Sequence, residues 1–348
     1  MYSTADVISI FLTATIAFVV TMFLTPILTH WLYKYRLTKQ IRVSDKTPVY
    51  SELHKHKAGT PTMGGILIWG TTLLLALVFY YLSRISDLDI INRLNFLSRP
   101  QTLLPLGALI ASALVGLVDD FWNVKRIGPA GGGLRVRHRL IIYSIIAAVG
   151  AWWFYFKLDW TTIHVPFIGN FDIGIWYIPI FLFIIVATSF SVNETDGLDG
   201  LAGGTLLTAF GAYGIIAIVQ GRIDLAAFCA AIIGALLAFL WFNIPPARFI
   251  MGDTGAMSLG VTLGIVAMLT NELFLLPIIG LVLVVVSLSV IIQIIGRRVF
   301  KKKIFLSAPL HHHLEAKGWS ESKIVMRSWV ISGVMTVIGL IIFLLDKA

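Results

Sequence analysis

The feature that most constrains this sequence is a series of ten apolar runs, each long enough to cross a bilayer. They lie at about 7–32, 63–82, 102–118, 140–157, 175–192, 201–220, 224–242, 254–270, 272–296 and 325–345. A spanning helix needs roughly 20 mostly apolar residues, because hydrocarbon offers no water to satisfy the backbone. Composition agrees: 57% of the residues are hydrophobic and 13% charged, against about 45–50% and about 25% in soluble domains. The expected fold is an all-α polytopic integral membrane protein with ten transmembrane helices, forming one membrane domain over residues 1–348. Cys229 is the lone cysteine and sits in an apolar run, so it reads as a small core hydrophobe. The opening "MYSTADV" lacks a basic n-region and the run after it is long, which predicts a retained span rather than a cleaved signal.

Charge orients the spans. With the N-terminus outside, the inner loops carry twenty of the 27 Lys and Arg and the outer segments six, with Arg327 at the inner edge of the last span. Cytoplasmic loops are the ones enriched in Lys and Arg, so the expected topology is N-out, C-out. The net charge of +9 then reflects loops facing anionic headgroups, not nucleic acid. The outer stretch "LDWTTIHVPFIGNFDIG" (158–174) partly alternates and is punctuated by Gly and Asn, which predicts a small periplasmic β-hairpin.

In this orientation every unusual polar cluster falls on the inner side. The clusters are "HKHKAGTPTMGG" (54–65), "VDDF" (118–121), "NETDGLDGLAGG" (193–204), "FNIPPARFIMGDTG" (242–255) and "SAPLHHHLEAKGW" (307–319). Five segments converging on one face describe a site on a rigid helical scaffold. Asp119, Asp120, Asp196, Asp199 and Asp253 all adjoin apolar helices. Helix capping explains one or two such acids. A set of five calls for a cation, and hard carboxylate oxygens suit Mg²⁺. Adjacent Asp119 and Asp120 diverge by roughly 100° on a helix, so they are expected to do different jobs.

If "NETDGLDG" is helical, Asn193, Asp196 and Asp199 share adjoining parts of one face; the alternative is a Gly-rich helix contact. "MGDTG" (251–255) offers backbone N–H groups to an anion at a helix start. Lys55, Lys57, Arg135, Arg137 and Arg139 can counter phosphates, or merely follow the positive-inside bias. The three histidines at 311–313 are expected in a loop beside Pro309, as metal ligands, phosphate binders or loop supports. A transporter would place such groups near the bilayer midplane, often in repeated broken helices; here they line one face.

Together, "KAGTPTMGG", "VDDF", "NETDGLDGLAGG", the Asn243-to-"MGDTG" spacing and "APLHHHLEAKGW" resemble the phospho-N-acetylmuramoyl-pentapeptide transferases. These belong to the polyprenyl-phosphate N-acetylhexosamine-1-phosphate transferase superfamily. The resemblance runs the length of the chain. It implies transfer of phospho-MurNAc-pentapeptide from UDP-MurNAc-pentapeptide to undecaprenyl phosphate, Mg²⁺ dependence, a cytoplasmic-face site in a bacterial inner membrane, and a homodimer. A sister transferase using UDP-GlcNAc is the alternative; the His triplet and "TPTMGG" argue against it. By the same resemblance Asp253 is the Mg²⁺ ligand, Asp119 faces the lipid phosphate, and Asp120 is its essential neighbour, held by a basic group or polar network beside the metal. Lys57, Thr62, Asn193, Asp196 and Asn243 line the polar cleft, and Gly197, Leu198 and Asp199 match the uridine pocket. His311 is the essential histidine, with His312 and His313 in support. Two positions depart from the family: Ile250 stands where Phe is usual, removing a stacking contact with uracil, and Arg139 stands where relatives often have Lys.

Overall fold

A computed structural model of the chain describes residues 3–38, 59–86, 88–97, 100–128 and 132–348. It contains ten helices long and apolar enough to cross a membrane, matching the ten expected runs. In chain order the helices begin with α1 (Thr4–Lys34), α2 (Ile66–Ile85), the short α3 (Asp89–Leu94), α4 (Pro100–Val124) and α5 (Val136–Trp152). A hairpin of β1 (Thr162–Val165) and β2 (Gly169–Asp172) follows, then α6 (Tyr177–Thr195), α7 (Leu201–Val219), α8 (Ile223–Asn243) and α9 (Gly252–Leu269). The short α10 (Leu276–Ile279), α11 (Leu281–Arg298), the short α12 (Leu310–Ala316) and α13 (Glu321–Lys347) complete it.

Helix α9 is the axis of the bundle: 94% of its spanning window is buried, against 17% in α13 and 28% in α1. A helix that is apolar all round belongs inside, and small residues in "GDTGAMSLGVTLG" let neighbours approach closely. It packs against α4 and α6, while α8 packs against α1 and α7. Cys229 is fully buried in α8, as its apolar run predicts.

The ninth expected run, 272–296, is not one helix. A 3₁₀ turn (Leu273–Leu275) and α10 precede α11, with Gly280 between them. Pro277 sits in the first turn of α10, where its missing N–H costs nothing. The third span also runs past its expected end at 118 to Val124, so Asp119 and Asp120 lie within the last turns of α4.

The expected hairpin is present and antiparallel, with Thr162 opposite Asp172 and Val165 opposite Gly169. It is tied to the end of α13: His164 Nε2 lies 2.6 Å from Asp346 Oδ2, and the Phe167 N–H donates to Asp346 Oδ1 at 2.5 Å. The spans alternate in direction. The ends of α4, α6 and α8 and the starts of α5, α7, α9 and α13 therefore share the end of the bundle opposite the hairpin.

Candidate active site

Both carboxylates of the acid pair are buried, and they point to different partners. Asp120 turns toward α9. Its Oδ1 accepts from the Asp253 N–H at 3.1 Å and from Thr62 Oγ1 at 3.3 Å, and its Oδ2 accepts from the Thr254 N–H at 3.0 Å. It thus caps α9 from another helix, and the anion seat predicted at "MGDTG" holds the protein's own carboxylate. Gly252 makes this possible: its φ of 76° is left-handed, and a Cβ there would collide with Asp120 Oδ2. Thr62 is delivered by backbone pairing of residues 61–65 with 250–251: the Ile250 N–H donates to Pro61 O, and the Gly64 N–H to Ile250 O. Ile250 itself is half-buried. Lys55 and Lys57 lie outside the described residues.

Asp119 turns the other way. Its Oδ1 accepts from the Leu134 N–H at 2.5 Å, and its Oδ2 accepts from Arg139 Nε at 2.8 Å. Arg139 Nη2 lies 2.7 Å from Oδ2 of Asp119 and 2.7 Å from Oδ2 of Asp253. Arg139 Nη1 donates to Asn193 Oδ1 at 3.0 Å, and Asn193 Nδ2 donates to Asp253 Oδ1 at 2.7 Å. Residues from α4, α5, α6 and α9 thus close one ring of charge-assisted hydrogen bonds. The expected polar network around Asp120 is there. The basic group, however, sits on Asp119, which correspondingly does not face open space.

The "NETDGLDG" segment departs from its expected helical face. Helix α6 stops at Thr195 and Asp196 is its C-cap, while Asn193 donates into the ring. A turn follows, ending at Gly200 with φ 79°. Asp199 Oδ2 accepts from the Ala247 N–H at 3.1 Å, and its own N–H donates to Glu321 Oε1 at 2.7 Å. Asn243 accepts from the Gly200 N–H at 2.9 Å and donates to Phe249 O at 2.8 Å, locking the loop before α9 to the loop before α7. Leu198 is buried in a small apolar cluster with Leu201, Ile324 and Val325. Glu321 went unnoticed in the sequence; its signal is an acid in the first turn of a helix behind Ser320.

The three histidines lie on helix α12, not in a loop, and the His311 and His312 rings meet edge to face with centroids 4.2 Å apart. His312 Nδ1 lies 2.6 Å from Glu315 Oε2, and His313 Nδ1 accepts from the Leu306 N–H at 3.1 Å. Burial and then Lys317 hold the His313 imidazole below its usual range. Buried His311 lies against Gly197, whose missing side chain leaves room for the ring.

Among the described residues no group of three or more His, Cys, Asp or Glu gathers to hold a metal. The donor chemistry still fits Mg²⁺, which takes one or two carboxylates and fills its other positions with water and substrate phosphate. Asp119 and Asp253 each direct an oxygen at one point, now filled by the Arg139 guanidinium. A groove of about 730 Å³ runs along α6 and α11. Its walls include Leu140, beside Arg139, and Ser191, two residues before Asn193, and continue through Phe183, Leu283, Val284 and Ile291.

A bundle of ten membrane-length helices with a buried carboxylate ring and an apolar groove between its spans fits a membrane transferase. The model for glycosyl transferase family 4 matches residues 102–271. A signature of the phospho-N-acetylmuramoyl-pentapeptide-transferases matches residues 57–68. The chain is 38% identical over 353 residues to the phospho-N-acetylmuramoyl-pentapeptide-transferase of Chloroflexus aggregans, covering 96% of this chain and 89% of that one. It is 38% identical to the enzyme of the same name from Geobacillus sp. strain WCH70, covering 94% and 95%, and 37% identical to that of Bacillus anthracis, covering 95% and 96%. The chain belongs to the phospho-N-acetylmuramoyl-pentapeptide-transferase family.

Proposed function

We propose that the chain transfers phospho-MurNAc-pentapeptide from UDP-MurNAc-pentapeptide to undecaprenyl phosphate. The products are UMP and undecaprenyl-diphospho-MurNAc-pentapeptide (lipid I), and the reaction serves peptidoglycan synthesis. The observation that carries this reading is the buried ring of Asp119, Arg139, Asn193 and Asp253, held on a bundle whose α5 and α6 also wall an apolar groove. A polyprenyl tail needs hydrocarbon, and its phosphate must meet a charged, water-soluble donor where the hydrocarbon ends. An oxygen of the acceptor phosphate attacks the β-phosphorus of the donor; a new P–O bond forms, and UMP leaves with the electron pair of the broken one. The second pKa of a phosphate ester is near 6, so near neutral pH the acceptor needs positioning more than deprotonation.

In this reading Asp119 and Arg139 set the acceptor phosphate, and Asp120 fixes the start of α9 and with it Asp253. Asp253 would hold Mg²⁺, which when bound neutralises diphosphate charge. Thr62, Asn193, Asp196 and Asn243 line the cleft, with Lys57 assigned to it by family resemblance alone; Gly197, Leu198 and Asp199 receive the uridine, and His311 is the essential histidine with His312 and His313 in support. The Lys and Arg asymmetry supports a cytoplasmic-face site in a bacterial inner membrane. A homodimer belongs to the same proposal, and sedimentation in detergent tests it. The reaction is tested by offering the purified protein undecaprenyl phosphate with either UDP-MurNAc-pentapeptide or UDP-GlcNAc and following UMP. Release with the first donor alone is expected; release with UDP-GlcNAc alone overturns the reading in favour of a sister transferase.

A further inference from the structure

Arg139 spends all three of its guanidinium nitrogens inside the ring. Nε and Nη2 face Asp119 at 2.8 and 2.7 Å, Nη2 also faces Asp253 at 2.7 Å, and Nη1 faces Asn193 at 3.0 Å. Asp119 is fully buried, and the side chains of Arg139 and Asp253 are each 17% exposed. Two carboxylates this close repel unless a cation lies between them. A guanidinium does not give up its proton in a protein, so only another cation can replace it. An ion on Asp253 at about 2.1 Å and a guanidinium 2.7 Å from the same oxygen would be like charges within about 5 Å.

We propose that Arg139 is a resident counter-cation that exchanges with the metal. In the resting protein it bridges Asp119 and Asp253 and competes for the oxygen a divalent ion would take. When metal and donor enter, Nη2 leaves Asp253 while Nε keeps its bond to Asp119, and the freed arm turns to a phosphate oxygen. Arginine suits the task because its planar fork holds three partners at once; lysine is a point charge and cannot bridge them. Arg139 is thus a positioning residue that sets metal affinity. The inference rests on the reading of Asp253 as the metal ligand.

The test is a Mn²⁺ titration of purified protein in detergent without substrates, followed by the loss of the free-ion electron paramagnetic resonance signal. Wild type, Arg139→Lys, Arg139→Gln and Asp253→Asn are compared, each with a thermal melt to establish folding. Both Arg139 variants are expected to bind Mn²⁺ at least tenfold more tightly than wild type, and Asp253→Asn to lose the site. Equal or weaker binding by Arg139→Lys and Arg139→Gln, with loss in Asp253→Asn, overturns the exchange and leaves Asp253 as the ligand. Unchanged binding in Asp253→Asn overturns both. Absence of any binding by Arg139→Gln also overturns the exchange.

Discussion

Asp120→Asn keeps the size of the side chain and removes its charge at the start of α9. In the native site its two oxygens accept from the N–H groups of Asp253 and Thr254 and from the Thr62 hydroxyl, at 3.1, 3.0 and 3.3 Å. Asparagine keeps one acceptor oxygen and turns an NH₂ toward groups that are themselves donors. Loss of a cap costs about 0.5–2 kcal/mol, and loss of a partly buried charge at a helix N-terminus up to about 2 kcal/mol more. Packing holds the rest of α9, so this roughly 0.5–4 kcal/mol falls on the first turn, which carries Asp253. Hydrogen exchange over residues 251–256 reads it directly. Amides 253 and 254 should exchange about 2- to 700-fold faster, and UMP release should fall by roughly 10²-fold or more. The apparent Mg²⁺ affinity of the residual activity should weaken as Asp253 drifts. Wild-type exchange together with wild-type turnover would refute the reasoning.

Metal removal with EDTA should abolish UMP release and Mg²⁺ should restore it, with Mn²⁺ a partial substitute; full activity in EDTA removes the metal from the account. Cys229 is buried and silent to labels, so a cysteine at exposed Lys302 should react only from the cytoplasmic side and one at exposed Asp89 only from outside. Reversed labelling overturns the orientation. At the hairpin end, burial pushes the Glu272 carboxyl up to about 7, against the pull of His164 and Lys347. Its folded value lies above its unfolded one, so its contribution is complete below about 4.5 and is lost as pH rises toward 7. The melting temperature of wild type should therefore fall relative to Glu272→Gln across that window, and parallel pH profiles would contradict it.

The sequence carried the ten spans because apolar length is a local property, and it carried the hairpin because alternation and turn residues are local too. It also carried the divergence of Asp119 and Asp120, which follows from helical geometry alone. What it hid is pairing across long separations. Asp120 meets Thr254 across 134 positions, and Arg139 meets Asp253 across 114. Counting acids along the chain made them look short of partners, whereas folding supplies Arg139 to two of them and backbone N–H groups to Asp120 and Asp199. The histidines were misplaced because Pro309 reads as a loop residue, although here it is the N-cap of α12. The spacing of His312 and Glu315, three apart, was the available sign of that helix.

The most direct test of the central claim, that this ring is the reaction centre, is UMP release by Asp253→Asn. The assay uses UDP-MurNAc-pentapeptide, undecaprenyl phosphate and Mg²⁺, beside a thermal melt of the same preparation. The variant keeps the Asp253 backbone N–H that Asp120 holds and keeps the side-chain volume, so it should fold and melt close to wild type. Its turnover should fall by roughly 10²–10⁴-fold. A folded Asp253→Asn protein that releases UMP at a near wild-type rate would contradict the account.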